Sequence, residues 1–75
     1  MLRTKHGGQT AEVLKHLKQV GKITTVEAFG LYGITRLSAK IFDLRKEFGQ
    51  NIIEAVRKRG VRSNYVEYRL NVHAL

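Results

Sequence analysis

Four cationic side chains lie within six residues of one another in the last third of the sequence: Arg57, Lys58, Arg59 and Arg62. Like charges this close repel one another, and an anionic partner removes that cost. DNA phosphates, or a narrow minor groove that attracts arginine, are the natural partners. Asn64 can add a hydrogen bond to a phosphate oxygen. The segment therefore predicts a phosphate-binding loop, the alternative being a turn that only solubilises the chain and protects a sheet edge.

A second polar set has the spacing of one helix face between residues 36 and 46. The opposite face is apolar and predicts a stripe towards the core: Leu37, Ile41, Leu44 and Phe48. A helix of this kind fits a major groove about 12 Å wide, where Arg bonds guanine, Asp accepts from cytosine and a small Ala approaches a thymine methyl. Asp43 can instead orient Arg36 or Lys40, and an ordinary solvated face is the alternative for the whole set. The residues that this face is predicted to bring to DNA are Arg36, Ala39, Asp43 and Lys46, with Lys40 at its edge.

Residues suited to catalysis or metal binding lack the spacing that such chemistry needs. The chain has no Cys, which excludes disulfides and thiolate metal sites. His6, His16 and His73 are isolated, so we expect them at the surface. Glu27 follows Thr24 by three residues, which indicates a helix capping box and not a catalytic acid. Because 75 residues enclose only a small core, we expect no enzyme activity, cofactor, metal or small-molecule substrate.

The overall charge indicates a polyanionic partner. Fourteen Lys and Arg against six Asp and Glu give a net charge of +8, and the pI is about 10.3. Nucleic acid and anionic membrane surfaces both attract such a chain. No apolar run approaches the roughly 20 residues of a membrane span, and the first eight residues lack the apolar core of a signal peptide. We therefore expect double-stranded DNA as the partner, no membrane, and a cytoplasmic location.

Residues 9–20 predict the first helix. Gly21 follows where a C-cap glycine belongs. The apolar face of this helix consists of Val13, Leu14, Leu17 and Val20.

A short extended piece at Ile23 separates the first helix from the second. Ile23 suits a short third strand or a plug into the core. The capping box of Thr24 and Glu27 begins a helix over residues 25–31, in which Ala28 and Leu31 are expected to face inward.

The third helix and a hairpin complete the predicted elements. Thr35 suits the N-cap of the third helix, which ends at Gly49. Two helices joined by a short Gly-containing turn are typical of a helix-turn-helix. The apolar period then changes to two, which predicts strands over residues 52–56 and 65–70 with a loop over residues 57–64.

The predicted fold class is α+β and mainly α, with three helices followed by a two-stranded hairpin. Residues 1–8 form a flexible basic arm in this interpretation, residues 9–70 the domain, and residues 71–75 a tail. Val66, Tyr68 and Leu70 share one face of the second strand, and Tyr68 is expected to pack on the helices.

Three segments together resemble small winged helix-turn-helix proteins of bacteriophages and prophages: residues 23–28 (ITTVEA), 33–45 (GITRLSAKIFDLR) and 65–70 (YVEYRL). The resemblance extends over about residues 9–70. It implies DNA binding in a host cytoplasm, with Thr35, Arg36, Ser38, Ala39 and Lys40 in the recognition helix. The wing varies among such proteins, so residues 57–62 depend on their charge alone. Phe48-Gly49-Gln50 departs from the usual glycine-aromatic order and can shift the first hairpin strand by a residue or two.

Three functions remain open at this point. The first is a sequence-specific transcription regulator of phage or mobile-element origin. The second is an excisionase-like architectural factor that bends DNA beside a recombinase. The third is a protein-interaction module that inhibits a host protein, although such an inhibitor is more often acidic than this chain. For either DNA-binding function we expect a homodimer or a cooperative oligomer on DNA, because one small module covers little of a duplex.

Overall fold

The computed structural model describes residues 3–71, which form three helices and a three-stranded sheet. The helices are α1 (Gly8–Val20), α2 (Thr25–Tyr32) and α3 (Leu37–Phe48). The strands are β1 (Lys22–Thr24), β2 (Ile53–Arg59) and β3 (Asn64–Leu70), and one 3-10 turn (Gln50–Ile52) precedes β2. This arrangement confirms the predicted fold class, including the short third strand at Ile23.

The sheet is antiparallel with strand order β1-β3-β2. Ile23 of β1 lies opposite Tyr68 of β3, and β2 pairs with β3 from Ile53–Leu70 to Arg59–Asn64. The central strand is thus the last one in sequence, and it connects the hairpin to the segment between α1 and α2.

The core lies between the three helices and one face of the sheet. Leu17 and Ile23 are fully buried, and burying an aliphatic side chain of this size contributes about 1.5–3 kcal/mol. Tyr68 packs against the core from β3, as predicted, and so does Leu70. The other buried apolar residues are Val13, Leu14, Ala28, Ile34, Leu37, Ile41, Leu44, Ile52 and Ile53.

Local signals set the helix ends largely as predicted. The Thr24 hydroxyl accepts from the Glu27 N–H at 3.2 Å, and the Glu27 carboxylate accepts from the Thr24 N–H at 3.0 Å, which completes the capping box. Gly21 (φ 95°) ends α1, and its N–H donates to the Leu17 carbonyl. Gly33 ends α2 with a φ of 68°. Both glycines adopt the left-handed conformation that other residues rarely reach.

Three expectations about the helices are wrong. Thr35 does not cap α3, because the helix begins at Leu37 and the N-cap is Arg36, which makes no side-chain capping bond. Leu31 is 63% exposed, since it lies about 80° around α2 from the middle of the face that Ala28 and Tyr32 turn inward. Val20 is also exposed, one turn beyond Leu17, the last buried residue of α1.

His16 is buried, which corrects its expected surface position. It is 6% exposed, and its Nδ1 lies 2.7 Å from the Tyr32 hydroxyl. The two rings meet edge to face. This contact joins α1 to α2. The apolar periodicity of α1 does not indicate that His16 is buried, because His usually counts as a polar residue.

The hairpin is longer and its loop shorter than predicted. The sequence suggested a loop over residues 57–64, but β2 continues to Arg59 and the loop is residues 60–63. The run of positive charge looked like a loop, whereas backbone pairing with β3 keeps these residues in a strand. Ile52 lies in the 3-10 turn and not in β2, which agrees with the shift anticipated from Phe48-Gly49-Gln50.

Candidate nucleic-acid interface

The face of α3 that points away from the core carries most of the predicted strip. At 100° per residue, the buried Leu37, Ile41 and Leu44 define the inward direction. The opposite side chains are those of Ala39, Phe42, Asp43 and Lys46. Ser38, Ala39, Phe42 and Lys46 are exposed, while Lys40 and Asp43 are half-buried. Ala39, Asp43 and Lys46 therefore lie on the outward face of the helix, with Ser38 and Lys40 at its two edges.

Phe42 belongs to this outward face, although no sequence argument selected it. The side chain is 57% exposed, and the Lys46 Nζ lies 5.8 Å from the centroid of its ring. Helix geometry predicts this exposure, because position 42 falls about 130° from the middle of the buried stripe. An aromatic residue therefore lies between Ala39 and Lys46 on the exposed side of α3.

The turn before α3 places Thr35 and Arg36 at the start of the same face. Both side chains are exposed. Within the described part of the chain, neither Arg36 nor Lys40 has a hydrogen bond or an ion pair to Asp43. The predicted orienting role of Asp43 therefore has no contact behind it. Asp43 instead lines a depression of about 160 Å³ together with Lys5, His6, Lys46 and Glu47.

Residues 4–6 of the basic N-terminal arm lie against α3 through Glu47. One carboxylate oxygen accepts a hydrogen bond from the Thr4 hydroxyl, and the other accepts from the Lys5 N–H at 2.7 Å. The His6 Nε2 lies 3.9 Å from the same carboxylate. Burial by itself raises the pKa of Glu47, but these two hydrogen bonds and the charges of His6 and Lys5 outweigh it and lower that pKa. No local sequence pattern indicates this contact, because it joins residues more than 40 positions apart.

Strand geometry divides the basic cluster of the hairpin between two faces. Alternate residues of a strand point to opposite sides of the sheet. Arg57 and Arg59 share the side of the buried Ile53, and Asn64 lies opposite Arg59 on that side. Lys58 points to the other side, next to Tyr65 in the register. Arg62 is exposed in the loop. On one face of the hairpin, the predicted cluster therefore consists of Arg57, Arg59 and Asn64, whereas Lys58 lies on the opposite face.

Glu67 occupies the side of the sheet to which Lys58 points. It is 6% exposed and accepts a hydrogen bond from the Arg69 Nε at 2.6 Å, with the Lys22 Nζ at 3.9 Å. The hydrogen bond from Arg69 is the main cause that lowers the pKa of Glu67; burial opposes it, and the charges of Arg69, Lys22 and Lys58 add to it. The alternation that placed Val66 and Tyr68 on the core side implied that Glu67 faces the other way, but not that it is buried.

Arg45 fixes the hairpin relative to α3. Its Nε and Nη2 donate to the Ile53 carbonyl at 3.3 and 2.9 Å. Ile53 is the first residue of β2, so the base of the hairpin is bonded to the last turns of the helix. These hydrogen bonds fix the position of the basic hairpin relative to the exposed face of α3.

Residues 8–73 match the family model described as a winged helix-turn-helix domain. The chain belongs to this family. In the winged helix-turn-helix arrangement, α2 and α3 form the helix-turn-helix, α3 is the recognition helix, and the wing consists of β2, β3 and the loop of residues 60–63. A helix-turn-helix domain of this type implies DNA as its partner and is typically not an enzyme.

No curated protein and no solved structure matches the winged helix-turn-helix chain at a significant level. Within residues 3–71, no helix is both long enough and apolar enough to cross a membrane. The same residues contain no group of three or more His, Asp or Glu side chains placed to hold a metal ion.

Proposed function

We propose that this protein is a sequence-specific transcription regulator that binds double-stranded DNA. The recognition helix enters the major groove, and the wing contacts the backbone or the adjacent minor groove. One observation supports this most directly: exposed cations occupy two separate elements, α3 and the wing, which Arg45 joins through the Ile53 carbonyl. Two basic surfaces in a fixed relation suit a duplex, which offers a groove and a neighbouring backbone at a fixed spacing.

The two surfaces divide the work. Arg36 and the strip Ser38, Ala39, Lys40, Asp43 and Lys46 contact base edges and flanking phosphates. Arg57 and Arg59, with Asn64 and the loop residue Arg62, supply most of the affinity through phosphates. Lys58 contributes less than the arginines, because its charge faces the Glu67 carboxylate.

The biological setting follows from the family resemblance and from the DNA target. The resemblance to phage and prophage proteins supports an origin in a phage or mobile element, and a DNA target implies the cytoplasm or nucleoid. A single module of this kind covers on the order of 600–1,000 Å². We therefore infer that the protein acts as a homodimer or as a cooperative array on its operator.

Selection of bound duplexes from a random pool tests this proposal, followed by titration of the selected site at several salt concentrations. We expect a common sequence and a log Kd that varies linearly with log salt. In the variant Arg57→Ala/Arg59→Ala the slope should fall by about 0.9 for each lost phosphate contact. The variant Lys15→Ala/Lys18→Ala loses the same charge from α1 and serves as the control.

Three outcomes would contradict parts of the proposal. Equal slopes in the two double variants would show that the wing does not contact phosphates. A selected pool without a common sequence, together with strong bending of the bound duplex, would identify an architectural recombination factor. Absence of any duplex binding would favour a protein-interaction module.

A further inference from the structure

Phe42 is exposed on the outward face of α3, where the neighbouring side chains are small or charged. It is 57% exposed and does not belong to the aromatic residues that pack against the core, which are Tyr32, Phe48 and Tyr68. Its contact with Lys46 is 5.8 Å long and lies in solvent, where such contacts are weak. Neither the fold nor this contact accounts for a large apolar ring at this position.

The chemistry of the major groove offers one apolar group on a base edge, the C5 methyl of thymine. Ala39 precedes Phe42 by three residues and lies on the same side of α3, so the two side chains form one apolar strip. Lys46 lies beside this strip, while Arg36 and Lys40 lie further round the helix axis, on the side of Asp43. A surface of this kind is complementary to a thymine methyl flanked by phosphates.

We propose that Phe42, with Ala39, recognises the methyl group of a thymine in the operator, and that Phe42 is a specificity-determining residue. This inference depends on the proposed DNA-binding function and extends it to a base identity. The Lys46 ammonium, held beside the Phe42 ring, contacts a phosphate next to that thymine.

The surroundings of Phe42 also predict where the thymine lies. Around the axis of α3, Asp43 and Glu47 lie on one side of the outward face, and Phe42 and Arg45 lie on the other. Arg45 is bonded to the first residue of β2. The thymine that Phe42 contacts is therefore on the wing side of the recognition helix, away from the two carboxylates.

Replacement of thymine by deoxyuridine tests this contact, because it removes only the C5 methyl. Each thymine of the selected duplex is replaced in turn, and Kd is measured at low salt so that weak complexes remain measurable. We expect one thymine on the wing side whose replacement weakens binding of the unmodified protein about fourfold, the value for one buried methyl-sized group. The same replacement should leave binding of Phe42→Ala unchanged.

Two further variants keep the test specific. Phe29→Ala removes the 61% exposed ring of α2 and should retain the full sensitivity to deoxyuridine. Phe42→Leu keeps an apolar side chain and should retain part of it. Circular dichroism of all variants checks that they fold.

The results separate failure of this inference from failure of the proposed function. A selected duplex whose thymines can all be replaced without effect would overturn the inference, as would a sensitivity that persists unchanged in Phe42→Ala. A Phe42→Ala variant that loses self-association but keeps its sensitivity would also overturn it and would assign the ring to a protein contact. A protein that binds no duplex at all would refute the proposed function itself.

Discussion

Arg36 lies at the position where the recognition helix begins, and its side chain is exposed. Among residues 3–71 the Arg36 side chain forms no hydrogen bond or ion pair, so its five N–H donors are available to a ligand. A helix N-terminus is also the end of a recognition helix that usually contacts base edges. Of the charged residues near α3, Arg36 therefore combines the freedom and the position needed to bind guanine.

Arg36→Ala should relax the preference for one base pair of the operator, with a loss of about 1–3 kcal/mol at that pair. Arg36→Lys should lose the same preference, because Lys keeps the charge but cannot form the two parallel hydrogen bonds to O6 and N7. Repeating the binding-site selection with both variants measures this. An unchanged preference in Arg36→Ala would show that Arg36 does not read a base pair.

At the scale of elements, the His16–Tyr32 contact sets how α2 lies against α1. The Tyr32 hydroxyl is the hydrogen-bond partner of His16 Nδ1, and Nε2 of the same ring is buried without one. Loss of the hydrogen bond at Nδ1 as well would leave both ring nitrogens of His16 without a partner and would therefore lower the free energy of unfolding. Because α2 precedes the turn into α3, the contact also supports the orientation of the recognition helix.

Tyr32→Phe should lower the free energy of unfolding by about 1–3 kcal/mol, since it leaves a second buried ring nitrogen without a partner. Urea unfolding at neutral pH measures this loss. Tyr65→Phe removes a hydroxyl from an exposed Tyr of β3 and should have little effect. Equal losses in the two variants would show that the hydroxyl of Tyr32 contributes nothing through His16.

At the scale of the whole molecule, the few acidic residues hold distant segments together. Glu47 binds residues 4–6 of the N-terminal arm to α3, and Glu67 binds Lys22 of β1 and Arg69 of β3. In a chain of net charge +8, such carboxylates reduce repulsion among the cations around them. Both have a lowered pKa, and both therefore stabilise the folded state only while they are ionised.

Glu67→Gln should destabilise the protein at neutral pH, and the difference from the unmodified protein should disappear in acid. A carboxyl whose pKa is lowered on folding contributes its full stability above its ordinary value of 4.5. That contribution is lost as the pH falls through the lower value of the folded state. Free energies of unfolding over an acid pH series check this, with Glu12→Gln on the exposed side of α1 as the control. A difference that stays constant with pH would show that the charge of Glu67 is not involved.

Local signals in the sequence were sufficient to predict the order and type of the elements. The Thr24–Glu27 capping box, the glycines after α1 and α3, and the Leu37–Ile41–Leu44 stripe each act within a few residues. Such signals specify backbone hydrogen bonds inside one element. Which face of α3 points away from the core was predictable for the same reason, because the position of a residue on a helix follows from its number.

Tertiary structure alone decided how the basic cluster is divided and which side chains are shared between elements. Arg57 and Lys58 point to opposite faces only because β2 continues to Arg59, and that register depends on pairing with β3. The burial of His16 and the contact of Glu47 with the N-terminal arm likewise need partners that are distant in the chain. Periodicity records which way a residue points along its own element, whereas burial and ion pairing depend on what another element brings to it.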